Sequence, residues 1–202
     1  FTNTEAPGSS SDVLLFKTPI TPPWSTRAVT PAIVREGGAL VYPGTGDYIY
    51  AFQGNSTSAF WRYSLSGNFW TTMASPGTVT IGAGGSLCST GGDNIYAFTG
   101  AGNSPSSFLR YDISINQWFS MTSTPAAVGN GGSLSYLGSG DFIYAFRGSG
   151  QNAFWRYSIS GNAWTAMAAA WTVGGGGALC YPGSGDFIYG LSGNGSTTFG
   201  RY

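Results

Sequence analysis

The chain has 202 residues, 42% of them apolar and 16% aromatic, enough for one domain with a buried core. Only 8% are charged, with eight basic residues balancing eight acidic ones, so no field exists to steer a polyanion and a nucleic-acid partner is excluded. No apolar run nears the roughly 18 residues that span a bilayer, and the absence of histidine removes Ser-His-Asp catalysis, the usual zinc sites and most proton shuttles.

In chain order, Phe1 to Ser11 lacks the charged and apolar regions of a secretory leader. Val13, Leu14, Leu15 and Phe16 are then four consecutive apolar residues between Asp12 and Lys17, an aggregation hazard if left unpaired. This run is expected to contact another copy of the chain as an added β-strand. Thr18 to Pro23 reads as a semi-rigid extended connector, because proline lacks the donor that would hold it in a sheet. Residues 1–23 are therefore read as an extension and candidate donor strand, and residues 24–202 as the folded domain. Trp24 lies 13 residues before Gly37, as Trp118 lies 13 before Gly131, which predicts an outer strand and link over Trp24 to Glu36 that completes a blade at the chain's other end.

From Gly37 onward the same passage occurs four times, starting at Gly37, Gly84, Gly131 and Gly176, with spacings of 47, 47 and 45 residues. Each copy has a glycine pair and apolar stretch (GGALVY, GGSLCS, GGSLSY, GGALCY), then a Gly/Asp turn and a strand-like run (DYIYAFQG, DNIYAFTG, DFIYAFRG, DFIYGLSG). A loop rich in Gly, Ser and Asn leads to AFWRY, SFLRY, AFWRY or TFGRY, and in three copies to Trp70, Trp118 or Trp164. Short β-branched and aromatic runs between turn clusters predict strands, about four per repeat, with no helical periodicity. The fourth copy reaches Tyr202 after its third strand.

A glycine doublet after an apolar stretch, followed by a tyrosine six residues clear of a tryptophan (Tyr63/Trp70, Tyr111/Trp118, Tyr157/Trp164), resembles the kelch repeat. The resemblance covers residues 37–202. It implies an all-β propeller whose blades are about four four-stranded antiparallel sheets set around an axis. Strands buried on both faces are expected to be apolar throughout, as IYAF is, and the glycine pairs suit inner strands where blades crowd together.

Candidate sites follow from the repeat. Asp47, Asp93, Asp141 and Asp186 precede the second strand of each copy, where turn residues are expected. Arg62, Arg110, Arg156 and Arg201 lie inside apolar third strands and need partners, so the recurring aspartates and arginines are read as structural latches, with a guanidinium ring for a ligand as the alternative. Glu36 and Asp112, which do not recur, are read as solvated charges. Trp171, without a counterpart in the other copies, is a candidate contact residue. Cys88 and Cys180 occupy equivalent positions and are read as buried free thiols, a bridge across the channel being the alternative. Asn55-Ser-Thr and Asn194-Gly-Ser match the glycan acceptor pattern.

No catalytic, metal or cofactor site is expected, and no enzymatic activity. Low charge and hydroxyl-rich loops fit an extracellular or cell-surface location. Two roles compete: a structural subunit that joins copies of itself by terminal strand addition, and a module that binds glycan or protein through the loops at 53–58, 100–106, 147–152 and 192–197.

Overall fold

The computed structural model describes residues 24–101 and 107–202. Short apolar strands separated by Gly, Asn and Asp turns pair into four antiparallel sheets, each built in chain order. Blade 1 contains β1 (Ala39–Val41), β2 (Tyr48–Phe52), β3 (Phe60–Ser64) and β4 (Phe69–Thr72). Blade 2 contains β5 (Ser86–Ser89), β6 (Asn94–Phe98), β7 (Phe108–Asp112) and β8 (Gln117–Ser120). Blade 3 contains β9 (Ser133–Tyr136), β10 (Phe142–Phe146), β11 (Phe154–Ser158) and β12 (Ala163–Ala166). Blade 4 has three described strands, β13 (Ala178–Cys180), β14 (Tyr189–Leu191) and β15 (Phe199–Arg201). The architecture is the expected four-bladed β-propeller, with no helix among the described residues.

The innermost strands set the spacing. β1 neighbours β5, β5 neighbours β9, and β9 neighbours β13. A glycine pair leads into each, and its first member has φ near +85°, a backbone conformation costly for any residue with a Cβ. The close approach adds a second constraint. A Cβ on Gly37 would collide with the carbonyl of Gly82, one on Gly84 with that of Gly129, and one on Gly131 with that of Gly174. The blades touch backbone to backbone at these points, as the sequence predicted for the inner strands.

The outer strands carry Trp70, Trp118 and Trp164 on β4, β8 and β12, each paired across the sheet with Tyr63, Tyr111 or Tyr157. The preceding turn places Asn68, Asn116 or Asn162 at φ between 46° and 55°, which asparagine tolerates. Blades 1 to 3 bury their middle strands on both faces: Ile95, Tyr96, Ala97 and Phe98 are all buried. That pattern follows from apolar neighbours on either side.

The N-terminal expectation is corrected in its described part. Residues 24–36 form no strand and pair with no described blade edge; Trp24 is 90% exposed. Residues 1–23, which include Val13, Leu14, Leu15 and Phe16, lie outside the described residues.

The inner-strand geometry makes a graded prediction. Gly84→Ala meets both the backbone cost of about 1–2 kcal/mol and a collision costing about 1–3 kcal/mol. Gly176→Ala, at φ +86° with no atom nearer than the Gly193 Cα at 3.9 Å, meets only the first. Urea denaturation of the two variants should show Gly84→Ala as clearly the less stable.

Candidate interaction surfaces

Three blade junctions share one construction. A phenylalanine on the third strand of one blade meets the tyrosine and tryptophan of the next: Phe60 lies 4.7 Å from Tyr111 and 4.8 Å from Trp118 by ring centroid. Phe108 repeats these distances with Tyr157 and Trp164. At the third junction Phe154 lies 4.8 Å from Tyr202, and no outer-strand tryptophan follows.

An asparagine clamp joins the link between blades to the next outer strand. Asn116 Oδ1 accepts from the Tyr111 hydroxyl at 2.7 Å and the Ala74 amide at 2.9 Å, while Trp118 Nε1 donates to the Ala74 carbonyl at 2.8 Å. Asn162 does the same with Tyr157, Thr122 and Trp164, and Asn68 with Tyr63, Ala28 and Trp70. The sequence reading missed these asparagines. Their signal was present, since each stands two residues before its tryptophan.

The expected arginine–aspartate latches are replaced by two separate devices. Asp47 accepts from the Ser64 hydroxyl and the Ser66 amide, and Asp141 from Ser158 and Ser160, which holds both carboxyls below the usual carboxylate range. Asp112, read as a plain surface charge, caps its own turn through Ser114 and is lowered likewise. No ion pair joins Asp47, Asp93, Asp141 or Asp186 to an arginine among the described residues. The guanidinium groups lie over aromatic rings instead: Arg62 over Tyr48 at 4.2 Å, Arg156 over Phe142 at 4.5 Å, and Arg201 over Phe187 at 3.9 Å. Blade 2 has Asn94 where the others have a ring, and Arg110 takes Phe119 on the outer strand at 4.9 Å. A ring face attracts the cation without a counter-charge. The Nε atoms of Arg62, Arg110 and Arg156 are left buried without a partner.

The polar loops also have structural work. In the first, the Ser56 amide donates to the Ile81 carbonyl of the next blade at 2.9 Å, and in the third Gly150 donates to Val173 at 2.8 Å. Trp171 is a volume exchange. Its ring lies where a Cβ on Gly200 would fall, and Gly200 stands where the other blades have Trp61, Leu109 and Trp155.

What remains free lies at the two ends of the arc. On blade 4, Phe199 is 63% and Leu191 49% exposed, whereas their counterparts Phe60 and Phe52 are fully buried. On blade 1, Leu40 is 67% exposed. The packing seen at the other three junctions does not recur between blades 4 and 1 among the described strands. Beside the open edge of β15 lies an apolar cavity of about 300 Å³ whose walls include Phe146, Phe154, Ala168, Trp171 and Tyr202.

Burial separates the two cysteines. Both are free, but Cys88 is buried, its thiol pushed up to about 12, while Cys180 is exposed, against the expectation of two buried thiols. Blade 3 covers Cys88, and no further blade covers its counterpart. A thiol reagent at pH 8 should therefore label one cysteine per native chain and two in denaturant, with no native labelling in Cys180→Ser.

No protein-family model matches this chain, and no curated protein sequence does. Among solved structures it is similar to one described as "Structure of YjhT", with a TM-score of 0.61 and 16% identity over 83% of this chain. A likeness at that identity carries the fold alone. The chain spans 61% of the length of that propeller neighbour.

Proposed function

We propose that the chain is a non-catalytic structural subunit of the extracellular space or cell surface, which joins copies of itself by adding a terminal strand to an open blade edge. The observation that carries this reading is the unmatched pair of arc ends. Phe199 and Leu191 on blade 4 and Leu40 on blade 1 are apolar and exposed at positions equivalent to junction contacts elsewhere in the fold. Exposed apolar faces of this kind mark association surfaces, and strand addition would satisfy the free backbone groups of β15. The resemblance of the repeat to the kelch family is part of the same reading. So is the apolar run Val13 to Phe16, which needs a sheet edge to pair with.

A second reading is favoured by a different feature. A polar cavity of about 480 Å³ lined by Arg35, Glu36, Asn55, Ser56, Gly82 and Ala83 offers donors and acceptors to a glycan or a peptide. It predicts a monomer retained on a glycan or peptide resin.

Size-exclusion chromatography and negative-stain microscopy separate the two. The full chain is expected to assemble, and Leu15→Asp to abolish assembly while circular dichroism and the melting temperature stay unchanged. A monomeric full chain overturns the reading; a Leu15→Asp variant that unfolds assigns the run to the chain's own core and removes its role in assembly.

A further inference from the structure

The junction between blades 3 and 4 holds a vacant tryptophan seat. At the first junction, Trp118 lies 5.6 Å from Phe52 and 4.8 Å from Phe60 of the preceding blade and 5.0 Å from its own Tyr111, with Nε1 on the Ala74 carbonyl. Trp164 repeats this with Phe98, Phe108, Tyr157 and the Thr122 carbonyl. The corresponding residues at the third junction are Phe146, Phe154, Tyr202 and Ala168. All four line the cavity of about 300 Å³, and among the described strands β15 pairs only with β14. Ala168 follows Trp164 by four residues, as Ala74 follows Trp70 and Thr122 follows Trp118.

At the other end of the arc, Trp24 shares with the outer-strand tryptophans the clamped residue four positions on, although Pro22 and Lys17 stand where they have asparagine and tyrosine. Ala28 follows it by four residues and is clamped to blade 1: its amide donates to Asn68 Oδ1 at 2.9 Å and its carbonyl accepts from Trp70 Nε1 at 3.0 Å. In the other two clamps, the residue four positions earlier is the outer-strand tryptophan of the preceding blade. Trp24-Ser-Thr also matches Trp70-Thr-Thr and Trp164-Thr-Ala in kind. The clamp therefore sets Trp24 to Thr26 on the side of blade 1 where a preceding blade belongs. Among the described residues nothing fills that place: the Trp24 indole is 90% and Leu40 67% exposed. The chain's own blade 4 does not fill it, because Phe199 is 63% exposed and Gly176 faces no neighbouring blade.

We propose that Trp24 to Thr26 of one copy forms the fourth strand of blade 4 in a second copy, with Trp24 seated in the cavity between that copy's blades 3 and 4. The inference rests on the self-association reading above and assigns the β15 edge to Trp24 to Thr26 in place of the upstream run Val13 to Phe16. The register of the complete blades sets Trp24 opposite Tyr202, Ser25 opposite Arg201 and Thr26 opposite Gly200, with Trp24 Nε1 donating to the Ala168 carbonyl. The same docking brings Phe199 of one copy against Tyr63 and Trp70 of the other, reproducing the contact of Phe60 with Tyr111 and Trp118. Because the two surfaces differ, the contact is head to tail and repeats from copy to copy.

The test uses full chains carrying Cys180→Ser. One preparation has Ser25→Cys and the other Arg201→Cys, facing positions of an antiparallel pair within disulfide reach. Mild oxidation of the mixture is expected to give a linked dimer on a non-reducing gel, which neither preparation gives alone. Trp24→Ala, a change at an exposed side chain, is expected to sediment as a monomer with an unchanged melting temperature. A chain carrying both cysteines that links only within itself overturns the proposal, because the socket is then filled in cis. A Trp24→Ala chain that assembles like the parent, with no cross-link, also overturns it but leaves self-association standing. A parent chain that is monomeric at every concentration overturns both.

Discussion

A sheet with two apolar faces has no stable existence alone, and every blade here is such a sheet. The phenylalanine of one blade reaches the tyrosine and tryptophan of the next, and edge-to-face pairs of this kind contribute about 0.5–1.5 kcal/mol each beyond the area they bury. Tyr111 and Tyr157 illustrate the depth of that burial. Both hydroxyls still reach an asparagine, yet burial raises both phenols, Tyr157 to about 12. A blade is completed by its neighbour, so the last face in the series is unfinished by construction.

The glycine contacts set how closely that completion can proceed. Backbone meets backbone at Gly37 and Gly82, Gly84 and Gly129, and Gly131 and Gly174, and the aromatic wedge outside them holds the sheets apart. At the outer strands the asparagine clamp ties each linker to the outer strand it precedes. Each of its hydrogen bonds contributes about 0.5–1.5 kcal/mol, and the two that reach the linker residue at each clamp make the linker part of the blade rather than a tether. Ala28 belongs to this system although no described blade precedes it.

Charge has little part in the architecture. The arginines of the third strands rest on rings, and the turn carboxylates are occupied by serine hydroxyls and backbone amides. Low charge thus leaves the ends of the arc as apolar surfaces with little electrostatic repulsion between copies. In the proposed assembly, specificity comes from the shape and register of the added strand.

The four-fold repeat, the strand order within a blade, the inner glycine pairs and the outer tryptophans were all legible in the sequence, because each reflects a local rule repeated at fixed spacing. The asparagines before the tryptophans recurred as plainly, but nothing local told a turn residue from a clamp whose linker partner, Ala28, Ala74 or Thr122, lies 40 to 42 residues earlier. Partner choice was likewise undetermined. Arginine and aspartate recur once per repeat and could have met, yet Asp47 finds Ser64 across its own hairpin while Arg62 turns to the Tyr48 ring. Whether Cys180 would be buried like Cys88, whether Trp171 fills space or meets a partner, and whether the first and last blades touch depend on what stands beside each sheet. Spacing along the chain carries the blade, and only the three-dimensional arrangement decides which faces are left without a neighbour.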